Sequence, residues 1–413
     1  MQSNNYDKLL SGQFQFSSMK VLIISHDASR TGAPILLLNF AKLLKKHEVE
    51  TEFLLKYGGD LEGEFHEQGV TRIYYYKESN SIFYRIRKKL FGRPHHNLAG
   101  LDWKNYNYIL SNTITNGDIL DVIKKFHAVP VLSYIHEMKM AARFFTTPEN
   151  IASVKRHSNF YITPSQAVKN FLVKVENIPA ESVDVLPSYI PAASSSKSEL
   201  GRRGADDFFY VGSAGTIDWR KSPDLFVQVA RAVFSKEPDA KIKFLWKGAP
   251  KGGVELDRIL YDIDLAGISN KIEIAAASDN IGEWYQNLDI FLLTSREDPY
   301  PLVVLEAAAA GVPAICFESA GGAPEFVKEA MAGRVIPFLD INAMAEAVLY
   351  YYNNRAEARR EGMIAKEKLK SRHQDIEMIY NAYSIILKKL FSYGKKNTLN
   401  SDLSSTIPSH TGK

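Results

Sequence analysis

Residues 294–313 read TSREDPYPLVVLEAAAAGVP, and the pattern around them is that of a β-strand, a loop, an α-helix and a second strand. The apolar run at 290–293 predicts the first strand, and the run at 314–317 predicts the second. A helix is predicted over 302–310 because Pro301 is a residue favoured at the first helical position. Strands that alternate with helices in this way indicate a parallel sheet covered on both faces.

The same alternation extends over most of the chain. In the first half, a strand at 21–24 leads through Thr31-Gly32-Ala33-Pro34 into apolar residues at helical spacing from Ile35 onward. Further short apolar runs follow at 52–55, 106–111, 129–135 and 160–163. In the second half, strands are predicted at 208–211, 241–246 and 271–274. The fold class is therefore α/β, with two doubly wound domains.

The domain boundaries follow from composition. The segment 187–207 contains prolines, glycines and three consecutive serines without any apolar period, which is typical of a linker. We therefore divide the chain into these parts: a flexible tail at 1–18, a first domain at 19–186, the linker at 187–207, a second domain at 208–373, a helix at 374–393 that crosses back to the first domain, and a disordered tail at 394–413.

Composition excludes several classes of protein. The chain has 413 residues, 45% of them hydrophobic and 24% charged, so it can bury a sizeable core. A single cysteine, Cys316, excludes an internal disulfide. The net charge of +4 is too small over this length to indicate nucleic-acid binding. No run of 18 apolar residues occurs and the first 18 residues do not resemble a signal peptide, so we expect a cytoplasmic protein.

The loop before the predicted 302–310 helix carries the best candidates for chemistry. Unpaired amides at a helix N-terminus bind anions such as a diphosphate. Glu306 lies about one turn into that helix, where its two oxygens can accept hydrogen bonds from both hydroxyls of a ribose, and Asp298 can hold sugar hydroxyls. The alternative is that the two carboxylates only favour the positive end of the helix dipole.

This arrangement is similar to a known family. Asp298-X7-Glu306, with Pro-Leu-Val between the two acids, resembles the Glu-X7-Glu motif of retaining glycosyltransferase family 4. Other segments resemble that family in the same chain order: the Gly loop Thr31-Gly32-Ala33, the strand-end segment Ser133-Tyr134-Ile135-His136-Glu137, Gly215 followed by Lys221, and Gly321-Gly322-Ala323-Pro324-Glu325.

The resemblance implies a GT-B fold, in which two Rossmann-like doubly wound domains face a central cleft. It implies a transferase that moves a hexose from a nucleoside diphosphate sugar to an acceptor hydroxyl with retention, without a metal or other cofactor. The acceptor would be a lipid-linked or polysaccharide-precursor glycan. Two alternatives stay open: a non-catalytic or regulatory protein that keeps the fold, and a sugar-nucleotide epimerase.

The resemblance also assigns residues. It implies that Asp298, Glu306, His136 and Lys221 carry the catalytic roles. The donor would be bound by Gly32, Gly215, Arg220, Lys221, Asp298, Pro301, Leu302, Val303 and Glu306. A histidine at a strand end is also commonly structural, so both interpretations of His136 stay open.

The chain departs from the family pattern at several positions, including Ser188-Tyr189 in place of an Asn-Gly near the linker. Asp298 stands where the family usually has Glu, and Thr216 stands where it usually has an Arg that pairs with the Lys; here Arg220 lies beside Lys221 instead. Ser222 replaces a Gly. Asp262-Ile263-Asp264 spells a metal-binding motif of a different glycosyltransferase fold, but its polar helical setting indicates surface charges and not a metal site.

The segment 82–93 predicts a basic amphipathic helix. Ile82, Phe83, Ile86 and Leu90 share one face, and five basic residues occur with no acid among them. Such a helix binds an anionic membrane surface, which would place the protein at the inner face of the membrane. The alternative is an ordinary helix that packs its apolar face on the sheet.

Overall fold

The computed structural model describes residues 19–75, 89–90, 95–96, 98, 101–125, 129–191, 207–277 and 281–404, with side chains as far as residue 392. The chain forms two compact units. The first comprises the described residues of 1–164, 168–190 and 376–413, and the second those of 165–167 and 191–375.

The first unit contains a parallel sheet of seven strands in the order β3-β2-β1-β4-β5-β6-β7. Its strands are β1 Lys20–Ser25, β2 Glu50–Leu55, β3 Val70–Ile73, β4 Tyr108–Asn112, β5 Val131–Tyr134, β6 Phe160–Thr163 and β7 Val183–Val185. Its helices are α1 Gly32–Lys46, α2 Glu62–Gln68, α3 Gly117–Ile123, α4 Lys139–Phe145, α5 Pro148–His157, α6 Gln166–Lys174 and the last helix of the chain, α14 Ile376–Ser404. Short 3₁₀ turns occur at Ile114–Asn116 and Ala180–Ser182.

Two apolar clusters cover the faces of this sheet. On one face, Leu37 and Phe40 of α1 pack with Ile379 and Tyr383 of α14. On the other face, helix α3 contributes Ile119 among others. Because both faces are covered, the central strands are apolar on both sides, which explains why β1 is a continuous run and not an alternating one.

The second unit contains a parallel sheet of six strands in the order β10-β9-β8-β11-β12-β13. Its strands are β8 Phe209–Ala214, β9 Ile242–Ala249, β10 Ile272–Ala276, β11 Ile290–Leu293, β12 Ala314–Phe317 and β13 Gly333–Ile336. Its helices are α7 Pro223–Lys236, α8 Val254–Leu265, α9 Ile281–Gln286, α10 Leu302–Ala309, α11 Ala323–Ala330, α12 Ile341–Asn353 and α13 Arg355–Leu369, and a π-helix follows at Lys370–Gln374.

Both sheets have the doubly wound topology that the sequence predicts. In each, the chain builds outward from the first strand, returns, and adds a strand on the other side of it. The order therefore reverses between β1 and β4 in the first unit and between β8 and β11 in the second. In open α/β sheets, ligands bind beyond the carboxyl ends of the strands at this point of reversal.

Some predicted elements differ from the structure. The edge strands β3, β7 and β13 were not predicted because each has only three or four residues and no clear apolar run. Helix α10 ends at Ala309 and not at 310. Asp262 and Asp264 lie exposed on helix α8, as the polar pattern indicates.

The membrane-binding segment predicted at 82–93 lies outside the described residues, apart from 89–90. None of the helices in the described ranges combines the length and the apolar composition needed to cross a bilayer.

A buried pair of hydroxyls joins the last helix to the first sheet, and its removal tests that packing. Tyr383 of α14 and Tyr108 of β4 share a 2.6 Å hydrogen bond, and both side chains are buried. We expect Tyr383→Phe to lower the free energy of unfolding by ~1–3 kcal/mol, because it leaves the Tyr108 hydroxyl unsatisfied, and Tyr108→Phe/Tyr383→Phe to recover part of that loss. Urea unfolding measures both.

Tyr380→Phe is the matched control, since this neighbouring ring stacks on His47 and keeps that stack without its hydroxyl. Equal unfolding free energies for the Tyr383 and Tyr380 variants would show that the hydrogen bond does not stabilise the unit.

Candidate functional site

In the second unit, the loop that follows β8 is held in shape by one carboxylate. Asp218 Oδ1 accepts from the backbone amides of Arg220 (2.8 Å) and Lys221 (3.0 Å). Thr216 Oγ1 donates to Asp218 Oδ2 at 2.6 Å. An aspartate that bonds its own following amides fixes a turn, so the backbone at Lys221 is rigid before any ligand binds.

Gly215 leaves room for the side chain of Lys221. Its φ of +155° is one that L-residues rarely adopt, and a Cβ there would lie 3.3 Å from Lys221 Cγ. The lysine stem therefore passes directly over the glycine, and the spacing of six residues between them has a steric reason.

Arg296 ties the loop after β8 to the loop after β11. Its guanidinium donates to both carboxylate oxygens of Asp224 (3.0 and 2.7 Å) and to Ser222 Oγ (3.1 Å), and its backbone amide donates to the carbonyl of Arg220 (2.7 Å). A bidentate arginine–carboxylate pair fixes geometry as well as charge. Sequence analysis did not identify Arg296; its only signal is a basic residue three positions after a buried strand end.

The Gly-Gly loop holds the backbone of Asp298. The Asp298 amide donates to Ala320 O at 2.6 Å, and Gly322 N donates to Asp298 O at 3.2 Å. Gly321 has a φ of +139°, and a Cβ there would lie 1.7 Å from Asp298 O. Any other residue at 321 would collide with the backbone of the loop that carries this carboxylate.

These two loops bring Lys221 and Asp298 together. Lys221 Nζ donates to Asp298 Oδ2 at 2.5 Å, although 77 positions separate the residues in sequence. The side chains are 18% and 7% exposed, so the ion pair is mostly shielded from water. A shielded lysine is well suited to bind a phosphate group, because it presents a fixed charge in a medium that screens it little.

The start of helix α10 has the features predicted for an anion site. Pro301 is the last residue before the helix, with an extended backbone. Val304 N donates to Pro301 O, whereas the amides of Leu302 and Val303 have no partner among the described residues. Two open amides at the positive end of a helix can accept an anionic ligand.

Glu306 lies on the same helix, in a different environment from Asp298. Tyr285 OH donates to Glu306 Oε2 at 2.8 Å, and no basic side chain of the described residues pairs with this carboxylate. Burial raises the pKa of Glu306, and the hydrogen bond from Tyr285 offsets part of that increase. A carboxylate without a cation nearby is suited to accept hydroxyl groups and not to bind phosphate.

The guanidinium of Arg220 lies near the turn formed by Asp218. Its Nη2 is 4.0 Å from Asp218 Oδ2. The structure thus places Gly215, Lys221 and Asp298 together, and it places Glu306 with Tyr285, a partner that the sequence did not indicate.

In the first unit, His136 follows β5 and is buried. Asn112 Nδ2 donates to Ala33 O (3.3 Å), which orients the amide so that its Oδ1 accepts from His136 Nε2 (2.8 Å). Burial lowers the pKa of His136 to about 3, with His26 adding to the shift, so the ring is neutral at pH 7. Its Nδ1 is buried and has no partner among the described residues.

Asn112 therefore joins two segments that sequence analysis identified separately. It connects the strand-end histidine to Ala33, next to Gly32, the first residue of helix α1. The neighbouring Glu137 accepts from the amides of Ile114 and His136, and burial raises its pKa to about 7. Neither Asn112 nor Glu137 was predicted to act here, because Ala33 and His136 are distant in sequence from Asn112, and Ile114 is distant from Glu137.

Comparison with known proteins gives one family. Residues 200–368 match the family model described as glycosyl transferases group 1. Among curated proteins, the chain is 27% identical over 206 residues to the lipopolysaccharide core biosynthesis mannosyltransferase LpsB of Rhizobium meliloti (strain 1021), covering 47% of this chain and 56% of that one. It is 26% identical over 241 residues to the D-inositol 3-phosphate glycosyltransferase of Corynebacterium urealyticum, covering 50% and 57%. The matches thus span about half the length of these relatives.

Among solved structures, Anabaena Alr3699/HepE in complex with UDP aligns with a TM-score of 0.72 at 17% identity, over 89% of this chain and 99% of that chain. This likeness concerns the fold and agrees with the two parallel sheets described above. Residues 200–368 are therefore similar to the group 1 glycosyltransferases, and the chain has the GT-B fold.

Proposed function

We propose that the protein is a retaining glycosyltransferase that transfers a hexose from a nucleoside diphosphate sugar to an acceptor hydroxyl. One observation carries the proposal: beyond the carboxyl ends of two neighbouring strands, the second unit assembles a shielded lysine, a carboxylate on that lysine, and a helix N-terminus with open amides. A diphosphate needs the cation and the amides, while sugar hydroxyls need the carboxylates.

In the proposed reaction, the bond between the anomeric carbon and the β-phosphate oxygen breaks while the acceptor oxygen bonds to the anomeric carbon on the same face. The acceptor proton passes to the departing phosphate, and nucleoside diphosphate leaves. Lys221 and the amides of Leu302 and Val303 stabilise the negative charge that develops on the leaving group. Fixed protein charges fill this role, so we propose that no metal is required and that chelation by EDTA leaves the rate unchanged.

The proposed acceptor is based on the names of similar proteins. A similar protein acts in lipopolysaccharide core biosynthesis by its name, and a structural neighbour binds UDP. We propose a lipid-linked or polysaccharide-precursor glycan as the acceptor, and we propose that the protein is cytoplasmic.

Peripheral binding to anionic membranes through 82–93 is proposed from sequence alone, and cosedimentation with anionic vesicles tests it.

A donor screen tests the activity. Purified protein is incubated with UDP, GDP and dTDP sugars, with and without glycan acceptors, and release of nucleoside diphosphate is measured. Acceptor-stimulated release is expected for one donor. Donor binding without release would indicate the non-catalytic alternative, and conversion of the sugar without any acceptor would indicate an epimerase.

Lys221→Ala should lower the rate of nucleoside diphosphate release at least about a hundredfold, the usual scale for loss of one electrostatic stabiliser. The matched control is Lys236→Ala, which removes a lysine paired with Glu346 on the surface of the same unit. Steady-state kinetics on both variants make the comparison. Equal rates for the two variants would remove Lys221 from the site.

Substitution of Glu306 and substitution of Asp298 should weaken the binding of different ligands. Glu306→Gln should weaken both free nucleoside diphosphate and intact donor, because both contain the ribose. Asp298→Asn should weaken chiefly the intact donor, because only the donor carries the sugar. Isothermal titration measures each affinity, and Glu361→Gln, at another buried carboxylate that accepts from a tyrosine, is the control. Unchanged affinities in Glu306→Gln would contradict the ribose assignment.

His136→Ala should lower turnover about tenfold or more without unfolding the protein, since small displacements of substrate-facing groups are costly to the rate. The expected cause is loss of the hydrogen bond between His136 Nε2 and Asn112 Oδ1, which leaves the Asn112 amide held only by its bond to Ala33 O. Turnover and thermal melting are measured together, with His47→Ala, another histidine of the first unit, as control. A lowered melting temperature with normal specific activity would mean that His136 is only structural.

A further inference from the structure

Glu306 has a protein partner on only one of its two oxygens. Oε2 accepts from Tyr285, while Oε1 has no hydrogen-bond donor or cation within reach among the described residues. Glu306 is only partly buried, and Oε1 is not one of the buried polar atoms that lack a partner, so this oxygen is accessible and can accept a hydrogen bond from a ligand.

Tyr285 is held rigidly. Its side chain is 1% exposed, and its ring packs against Phe291 of β11 (centroids 5.8 Å apart) and Trp284 (5.1 Å). Burial and the neighbouring Glu306 raise its pKa well above the usual value, so the hydroxyl keeps its proton and always donates. One oxygen of the Glu306 carboxylate is therefore held by the hydroxyl of a tightly packed tyrosine ring.

The chemistry of the open side indicates its ligand. A carboxylate repels phosphate and accepts hydroxyls. Each carboxylate oxygen has two lone pairs, so Oε1 and the remaining lone pair of Oε2 can accept the two donors of a vicinal diol. A ribonucleotide carries such a diol at its 2′ and 3′ positions. A 2′-deoxyribonucleotide lacks one donor, and it would leave a desolvated acceptor unpaired.

We infer that Tyr285 is a positioning residue that aims Glu306 at the ribose diol, so that the site selects ribonucleotides over 2′-deoxyribonucleotides. The inference rests on the proposed function, since it takes Glu306 as the ribose ligand. It adds a residue from helix α9 that does not itself touch the ligand.

The test measures a ratio of affinities. The full chain is titrated calorimetrically with UDP and 2′-deoxy-UDP, and with GDP and 2′-deoxy-GDP. Wild type should prefer the ribonucleotide at least about tenfold, the scale of one buried hydrogen bond to a charged group. Tyr285→Phe, which keeps the packed ring, should reduce that ratio by about threefold or more, and Tyr285→Leu should do the same.

Tyr351→Phe is the matched control. The Tyr351 hydroxyl donates to Glu361, another buried tyrosine–glutamate pair in the same unit. Its removal should cost comparable stability and leave the affinity ratio unchanged. The comparison distinguishes a loss of Glu306 orientation toward the ligand from a general loss of stability in the second unit.

The pH dependence of UDP affinity gives a second measurement. Ligand binding requires ionised Glu306, so affinity falls as pH decreases through the pKa of this group. Because the Tyr285 hydrogen bond lowers that pKa, Tyr285→Phe should move the acid limb to higher pH, whereas Tyr351→Phe should not.

Two outcomes would contradict the inference, and one of them would also contradict the proposed function. If the Tyr285 variants keep the wild-type ratio and acid limb while UDP or GDP still binds, Tyr285 is structural and the inference is wrong, but the proposed function stands. If wild type binds no nucleoside diphosphate in these titrations, the proposed function is wrong and the inference falls with it.

Discussion

The site depends on the pairing of two parallel strands that are not neighbours in sequence. Strands β8 and β11 lie side by side at the point where the order of the second sheet reverses, so the loops after them leave the same edge next to each other. Arg296 then fastens one loop to the other through Asp224 and Ser222. Because both loops are fixed before any ligand arrives, Lys221 and Asp298 meet without a cost in conformational entropy at binding.

The sequence predicted what local chemistry determines. Pro301 marked the start of helix α10, and the seven positions between Asp298 and Glu306 placed one acid before the helix and the other a turn inside it. The sequence did not indicate how those acids are used, because the partners come from elsewhere. Tyr285 lies 21 positions before Glu306, and nothing around it distinguishes its hydroxyl from those of other buried tyrosines.

In the first unit, too, the sequence predicts an element but not the distant residues that its side chains contact. A strand was predicted over 106–111 from its apolar run and lies at Tyr108–Asn112. The useful residue is Asn112 at its end, whose amide bonds Ala33 on one side and His136 on the other. A polar residue after a strand is common, and only strand order brings β4 between β1 and β5. Sheet order is the information that a single sequence lacks, because it depends on contacts between distant segments.

The two carboxylates of the second unit illustrate how environment assigns roles to similar groups. Asp298 pairs with Lys221, and this shorter acid in place of glutamate still reaches the ammonium at 2.5 Å. Within the described part of the chain, Glu306 pairs with a phenol and with no cation, so it keeps an oxygen open for hydroxyl donors. Lys221 is thus paired within the protein. In the proposed reaction the diphosphate shares Lys221 with Asp298, and Asp298 takes up the full pair again as the diphosphate leaves, which opposes tight retention of the product.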